Sequence, residues 1–87
     1  MEDTLGLLEE SLQLARDAGY DVREEPLGEI RGGACVIGGR RSLLLNPELP
    51  ATARLARLVE VLAGDETAAA LPKSRLLAAR LRAAATA

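Results

Sequence analysis

The stretch of sequence that decides the fold spans residues 34–45 and reads ACVIGGRRSLLL. Two apolar runs flank Gly38-Gly39, and a two-residue hairpin turn needs a positive φ at its centre, which glycine adopts without steric cost. The pattern therefore predicts a β-hairpin. The second strand ends in three consecutive leucines, residues 43–45. Both faces of that strand are expected to be covered, as in the central strand of a sheet.

An amphipathic helix is predicted before the hairpin, over residues 4–18, because apolar side chains recur there at steps of three and four. Gly19 supplies the left-handed residue that ends this helix. Residues 20–25 then alternate between apolar and polar side chains, which predicts a short half-buried strand. The apolar stripe assigned to the helix consists of Leu5, Leu7, Leu8, Leu12, Leu14 and Ala15.

Two further helices are predicted after the hairpin. One covers residues 51–63 and is closed by Gly64, and the other begins at Pro72 and ends near residue 84. Between them, residues 67–71 carry side chains that are too small to anchor much of a core. The residues expected to face the core are Leu55, Leu58, Val59 and Leu62 in the first helix and Leu76, Leu77 and Leu81 in the second.

The predicted elements define an α+β fold in one domain covering residues 1–87, since domains typically run from about 50 to 250 residues. We expect a small, mainly antiparallel three-stranded sheet with helices on one face, in the order α-β-β-β-α-α. One layer of helices leaves the other sheet face uncovered. In a chain this short a second copy commonly covers such a face, so a homo-oligomer is expected.

The composition excludes several classes of catalytic site within one chain. The sequence has no histidine and one cysteine, so a His-ligated metal site, a Ser-His-Asp triad, a Cys-His dyad and a disulfide framework cannot form. Cys35 stands between the apolar residues Ala34 and Val36, which favours a buried strand cysteine over a nucleophile. We therefore expect no catalysis, no metal and no cofactor.

Net charge and the N-terminus bear on partners and compartment. The formal charge of −2 at pH 7 argues against nucleic-acid binding, which depends on a basic surface. The acidic start and the lack of a long apolar run predict neither a secretory signal nor a membrane span. We expect a cytoplasmic protein without membrane or nucleic-acid partners. Ten arginines against one lysine, with sixteen alanines, are typical of a bacterial genome of high GC content.

The charges are unevenly distributed along the chain. Eight acids and two arginines give residues 1–25 a net charge of −6, whereas four bases give residues 72–87 a net charge of +4. These segments are either solvated helix faces or a matched protein–protein contact, within one subunit or between subunits. The second interpretation makes Arg75, Arg80 and Arg82 a candidate partner interface.

A second set of arginines lies beside the glycine-rich loop at residues 26–33. Arg31, Arg40 and Arg41 could hold an anion, because guanidinium forks suit phosphate and carboxylate groups. They could equally be solubilising charges at a turn. The leading hypothesis is a non-catalytic protein that acts by protein–protein contact, as a homo-oligomer or an accessory subunit. The alternative is a small anion- or ligand-binding module that uses these three arginines.

The segment GRRSLLLNPELP at residues 39–50, followed by Arg54 and Arg57, resembles the ImmA/IrrE metallopeptidase family. In that family a strand and an Asn-containing turn feed the helix that carries H-E-x-x-H. Here the motif falls on residues 59–63, where Glu60 matches the catalytic glutamate but Val59 and Ala63 occupy the zinc-binding positions. Neither side chain can bind zinc. The resemblance, which covers residues 34–63, implies a peptidase-like scaffold without peptidase activity, with Glu60 an ordinary surface acid.

Overall fold

A computed structural model describes residues 3–26 and 32–86 of the chain. The elements in these residues, in chain order, are α1 (Thr4–Asp17), β1 (Asp21–Glu24), β2 (Gly32–Ile37), β3 (Arg40–Leu45), α2 (Ala51–Ala63), α3 (Glu66–Ala70) and α4 (Arg75–Ala85). This arrangement confirms the α+β class. Within these ranges, no helix combines the length and the apolar character that crossing a membrane requires.

The three strands form one sheet in the order β1-β3-β2. Strands β2 and β3 run antiparallel, and the turn between them contains Gly38 at φ 57° and Gly39 at φ 79°. Two consecutive positive φ angles are those of the tight hairpin turn that matches strand twist. The prediction of a hairpin is therefore confirmed, and so is the central position of the three-leucine strand.

The expectation of a mainly antiparallel sheet is wrong, because β1 runs parallel to β3 and the sheet is mixed. Val22 lies opposite Leu43, and the amide of Glu25 extends the pairing by donating to the carbonyl of Leu45 at 3.0 Å. The chain passes from β1 to the far edge of the sheet before the hairpin brings β3 back between the two strands. The alternation within residues 20–25 indicates a strand but not its neighbour or its direction.

Helix α1 begins and ends where the sequence indicates. The side chain of Asp3 accepts a hydrogen bond from the amide of Gly6 at 2.9 Å, which caps the first turn. Gly19, at φ 100°, then turns the chain, and the amide of Tyr20 donates to the carbonyl of Ala15 at 3.0 Å. This geometry fixes the position of Tyr20 and of β1 relative to the end of the helix.

Helices α1, α2 and α4 pack with Leu43 and Leu45 into one aliphatic core. Two leucines assigned to the core are exposed instead: Leu5 at 66% and Leu76 at 55%. Each lies at the edge of the apolar face of its helix, and only the middle of that face contacts the core. The buried apolar residues are Leu7, Leu8, Leu14, Ala15, Ala18, Leu43, Leu45, Leu55, Leu58, Val59, Leu62, Ala68, Leu77 and Leu81.

The segment at residues 67–71 is more structured than its small side chains indicate. It contributes to helix α3, so the order of elements includes one more helix than α-β-β-β-α-α. Asp65 caps α3 by accepting from the amide of Ala68 at 2.9 Å, and Ala68 itself is fully buried. A small side chain lets the helix backbone approach the core closely. Helix α4 begins at Arg75 after the cap residue Ser74, later than predicted.

Candidate functional site

Strand β2 forms one edge of the sheet, and no other described strand pairs with its outer side. Ile37 and Arg40 close the two-residue turn and so form a hydrogen-bonded pair. Hydrogen-bonded and non-hydrogen-bonded pairs alternate along an antiparallel ladder. The backbone N–H and C=O groups of Ala34 and Val36 therefore point away from β3, toward the free edge.

The side chains of this edge strand are exposed and uncharged. Residues 34–37 are all exposed, with Val36 at 72% and Ile37 at 38%. The prediction that Cys35 is buried is wrong, because an edge strand lacks the second neighbour that would cover it. Edge strands usually carry charges or proline that prevent pairing with another chain, and the sequence of β2 has neither.

A cleft of about 560 Å³ lies at the other side of the sheet, between the end of α1 and the hairpin. Two of the three arginines predicted to hold an anion, Arg40 and Arg41, line this cleft, whereas Arg31 lies outside the described residues. Among the described residues, the lining consists of Arg16, Gly19, Tyr20, Asp21, Gly39, Arg40 and Arg41. Arg16 and Tyr20 were not predicted as site residues.

Tyr20, Arg41 and Asp65 form a polar cluster on one wall of the cleft. The Tyr20 hydroxyl donates to Oδ2 of Asp65 at 2.8 Å, and the guanidinium of Arg41 pairs with the same oxygen. The Arg41 guanidinium carbon also lies 4.3 Å from the centre of the Tyr20 ring, a cation–π distance. The Asp65 side chain is 7% exposed, so its charge is directed at these donors and away from solvent.

The cluster shifts the titration of its members. Burial raises the pKa of the Tyr20 phenol above its ordinary value, with Arg41 opposing the shift and Asp65 adding to it. Burial alone would raise the pKa of Asp65 as well. The amide of Ala68, the Tyr20 hydroxyl and the Arg41 guanidinium outweigh that effect, and the pKa of Asp65 lies below its usual range. Asp65 is therefore charged at neutral pH.

Arg16 and Arg40 are exposed, and their side chains make no hydrogen bond or ion pair with any residue in the described ranges. Arg16 lies in the last turn of α1, where a cation interacts favourably with the helix dipole. Asp21, the one acid that lines the cleft, is engaged by Arg23, whose Nε lies 3.1 Å from Oδ2 of Asp21.

The charge distribution would allow ion pairs between α4 and α1, but within the described residues neither Arg75 nor Arg82 forms one. A polar contact between these helices joins Glu10 to Ser74, whose amide and hydroxyl donate to the carboxylate at 2.7 and 2.6 Å. Arg75 and Arg82 are seven residues apart on one helix face, whereas Arg80 is turned roughly 140° from Arg75. These three arginines remain a predicted interface.

The residues that occupy the H-E-x-x-H positions of the peptidase resemblance lie on α2. Val59 is buried, and Glu60 is exposed and accepts from Nη1 of Arg57 at 2.9 Å. In the part of the chain that the structure describes, no three His, Cys, Asp or Glu side chains come together as a metal site. The chain matches no protein-family model, no curated protein and no solved structure. Its function is therefore argued from its own surface.

Proposed function

We propose that this chain is a non-catalytic protein that acts through protein–protein contact, and that the outer edge of β2 is its contact surface. The observation that carries the proposal is the run of four exposed, uncharged side chains at residues 34–37 on an edge strand. Such an edge offers apolar area and unpaired backbone groups together, which is the combination used in strand addition. The absence of histidine from the sequence supports the lack of catalysis.

The partner that we propose is a second copy of this chain. An antiparallel strand edge is complementary to itself across a twofold axis, because each outward N–H meets an outward C=O of the other copy. Strand β2 carries no charge, so pairing it with itself brings no like charges together along the strand. The contact would cover Val36 and Ile37, the most exposed apolar side chains of the sheet.

The register that covers the whole exposed run is centred on Cys35. In that register Ala34 pairs with Val36 of the second copy through outward backbone groups, and Cys35 lies opposite its own copy. Cys35 is then in a non-hydrogen-bonded pair, where the two Cα atoms are about 4.5 Å apart. The result is a continuous six-stranded sheet, with the helices of both copies on the face of Leu43 and Leu45.

Light scattering coupled to size-exclusion chromatography tests this proposal. The wild-type protein should have a mass of roughly 18 kDa, twice that of the 9.2 kDa chain. Val36→Lys places a charge at the centre of the contact and should give a monomer with an unchanged helix content by circular dichroism. Leu76→Lys, at the exposed leucine of α4, is the matched control and should remain dimeric.

Two results would contradict the proposal. The first is a wild-type protein that remains monomeric at every concentration tested, because the exposed edge would then have no second copy to cover it. The second is a Val36→Lys variant that remains dimeric, because the contact would then lie elsewhere on the surface. A wild-type dimer whose Leu76→Lys variant alone is monomeric would place the contact on α4.

A further inference from the structure

We infer that the cleft between the end of α1 and the start of β3 binds a phosphate monoester, with Arg16 and Arg40 as its principal ligands. This inference is independent of the contact proposed for β2, because none of residues 34–37 lines the cleft. To the predicted anion-site residues Arg40 and Arg41 it adds Arg16, at the end of α1, and Tyr20, in the connection that follows α1.

Cationic side chains from both α1 and β3 line the cleft. Arg16 and Arg40 line one concave surface, and within the described ranges neither has a carboxylate partner. Two guanidinium groups in one cleft repel each other, and an anion between them removes that repulsion. Asp21, which also lines the cleft, is paired with Arg23 at 3.1 Å, and Asp65 is paired with Arg41. These two acids are therefore already engaged, and the guanidinium groups of Arg16 and Arg40 are available to an anion.

The third guanidinium in the cleft, that of Arg41, is already held in place by its neighbours. Arg41 is held between the Tyr20 ring, 4.3 Å away, and the carboxylate of Asp65. A guanidinium has five N–H donors in a fixed plane, so pairing with one carboxylate oxygen leaves others available. Because Arg41 is fixed before the ligand arrives, less side-chain entropy is lost when an anion binds.

The backbone that lines the cleft is open at two glycines. Gly19 and Gly39 have φ angles of 100° and 79°, and a Cβ at either position would have no heavy atom within 4 Å. A ligand can therefore approach these stretches of main chain without meeting a side chain. With a volume of about 560 Å³, the cleft has room for a phosphate group and a small organic body attached to it.

The chain contains a built-in reporter for this site. Tyr20 is its single aromatic residue, since the sequence has no Phe and no Trp. Intrinsic fluorescence therefore comes from one wall of the cleft alone. Titration with glycerol phosphate at constant ionic strength should change this emission and saturate, while titration with sodium chloride should not. Two control titrations define the ligand class. Inorganic phosphate shows whether a phosphate group alone is sufficient for binding, and acetate shows whether a carboxylate binds as well as the phosphate monoester.

Substitutions locate the binding. Arg40→Ala and Arg16→Ala should each weaken the affinity for glycerol phosphate by roughly tenfold, the loss typical of one charge-assisted hydrogen-bonding group. Arg75→Ala, at an exposed arginine of α4, should leave the affinity unchanged. Ala34→Lys, which also charges the edge of β2 but lies opposite Leu43 and not opposite a cleft arginine, should bind as tightly as the wild type, which separates this inference from the dimer contact.

Four results would overturn the inference. One is a fluorescence response that is absent, or that never saturates and is matched by sodium chloride, because the charge would then act without a site. Another is unchanged affinity in both Arg16→Ala and Arg40→Ala. A third is a loss in Arg75→Ala equal to that in the two cleft variants, which would indicate a general effect of net charge. The fourth is saturation by acetate as tight as by glycerol phosphate, which would reject the monoester as the ligand class.

Discussion

Replacing Asp65 by alanine removes one carboxylate that three donors share. Its Oδ1 accepts from the amide of Ala68 at 2.9 Å, and its Oδ2 accepts from the Tyr20 hydroxyl at 2.8 Å and pairs with Arg41. The variant therefore loses the cap of α3 and leaves the partly buried Tyr20 hydroxyl without its acceptor. It also frees the guanidinium that the cleft uses, so the effect joins the stability of the fold to the geometry of the site.

The magnitude follows from the three contacts. Loss of a helix N-cap costs about 1 kcal/mol, and loss of the acceptor for the tyrosine hydroxyl costs about 1 kcal/mol. The pair with Arg41 adds less than either of these contacts, because the arginine side chain is well exposed to solvent. We expect Asp65→Ala to lower the free energy of unfolding by about 2–3 kcal/mol, which corresponds to a fall in Tm of roughly 10–20 °C for a domain of this size.

Urea unfolding followed by circular dichroism measures this loss, and Asp65→Asn is the matched control. Asparagine caps a helix about as well as aspartate, and its Nδ2 can donate to the Tyr20 hydroxyl oxygen in place of the lost acceptor, so it should cost less than about 1 kcal/mol. The reasoning fails if Asp65→Ala loses under about 0.5 kcal/mol, or if Asp65→Asn loses as much as Asp65→Ala. The first result would mean that the cluster does not stabilise the fold. The second would mean that Asp65 stabilises the fold through its charge alone and not through its hydrogen bonds.

Further predictions concern pH, the contact at β2 and the hairpin turn. Because the pKa of Asp65 is lower in the folded state than in the unfolded state, its stabilising contribution is complete above the unfolded pKa, about 3.9, and is lost as the pH falls through the folded pKa. The free energy of unfolding should accordingly fall less steeply with decreasing pH in Asp65→Asn than in the wild type. Equal slopes in the two proteins would contradict this prediction. The raised pKa of Tyr20 should appear as a high midpoint in the ultraviolet titration of tyrosinate and should decrease in Asp65→Asn. Mild oxidation should link two chains through Cys35, whereas Cys35→Ser should remain dimeric without a covalent link; a wild-type dimer that never cross-links would reject the proposed register. Gly39→Ala should lower the free energy of unfolding by about 1 kcal/mol because φ is 79°. Gly64→Ala, at φ −95° with open space around it, should be neutral or slightly stabilising. Equal effects of the two substitutions would contradict the requirement for glycine in the hairpin turn.

Local patterns in the sequence were sufficient for the elements whose cause is local. Gly38-Gly39 between two apolar runs specified the hairpin, and the periodicity over residues 51–63 gave helix α2 with the bounds that the structure shows. Gly19 ended α1 by the backbone geometry that its sequence position indicated. Each of these features depends on residues within one turn or one hairpin, so no knowledge of the remaining chain was needed.

The features that were missed depend on contacts between distant segments. The parallel pairing of β1 with β3 and the exposure of Cys35 both follow from the strand order, which no pattern within a strand encodes. The bond from Tyr20 to Asp65 spans 45 positions, and the sequence contains no motif that joins them. Arg40 and Arg41 were identified as a candidate anion site from their residue type, but only the fold shows that Arg16 lines the same cleft.

Amide hydrogen exchange along β2 tests the proposed contact most directly. The amides of Cys35 and Ile37 bond to β3 in a single subunit, whereas those of Ala34 and Val36 point to the free edge. If a second copy pairs with this edge, all four amides are protected in the wild type, and Ala34 and residue 36 lose protection in Val36→Lys. Rapid exchange at Ala34 and Val36 in the wild type, beside protected Cys35 and Ile37, would show that no strand pairs there and would contradict the proposed function.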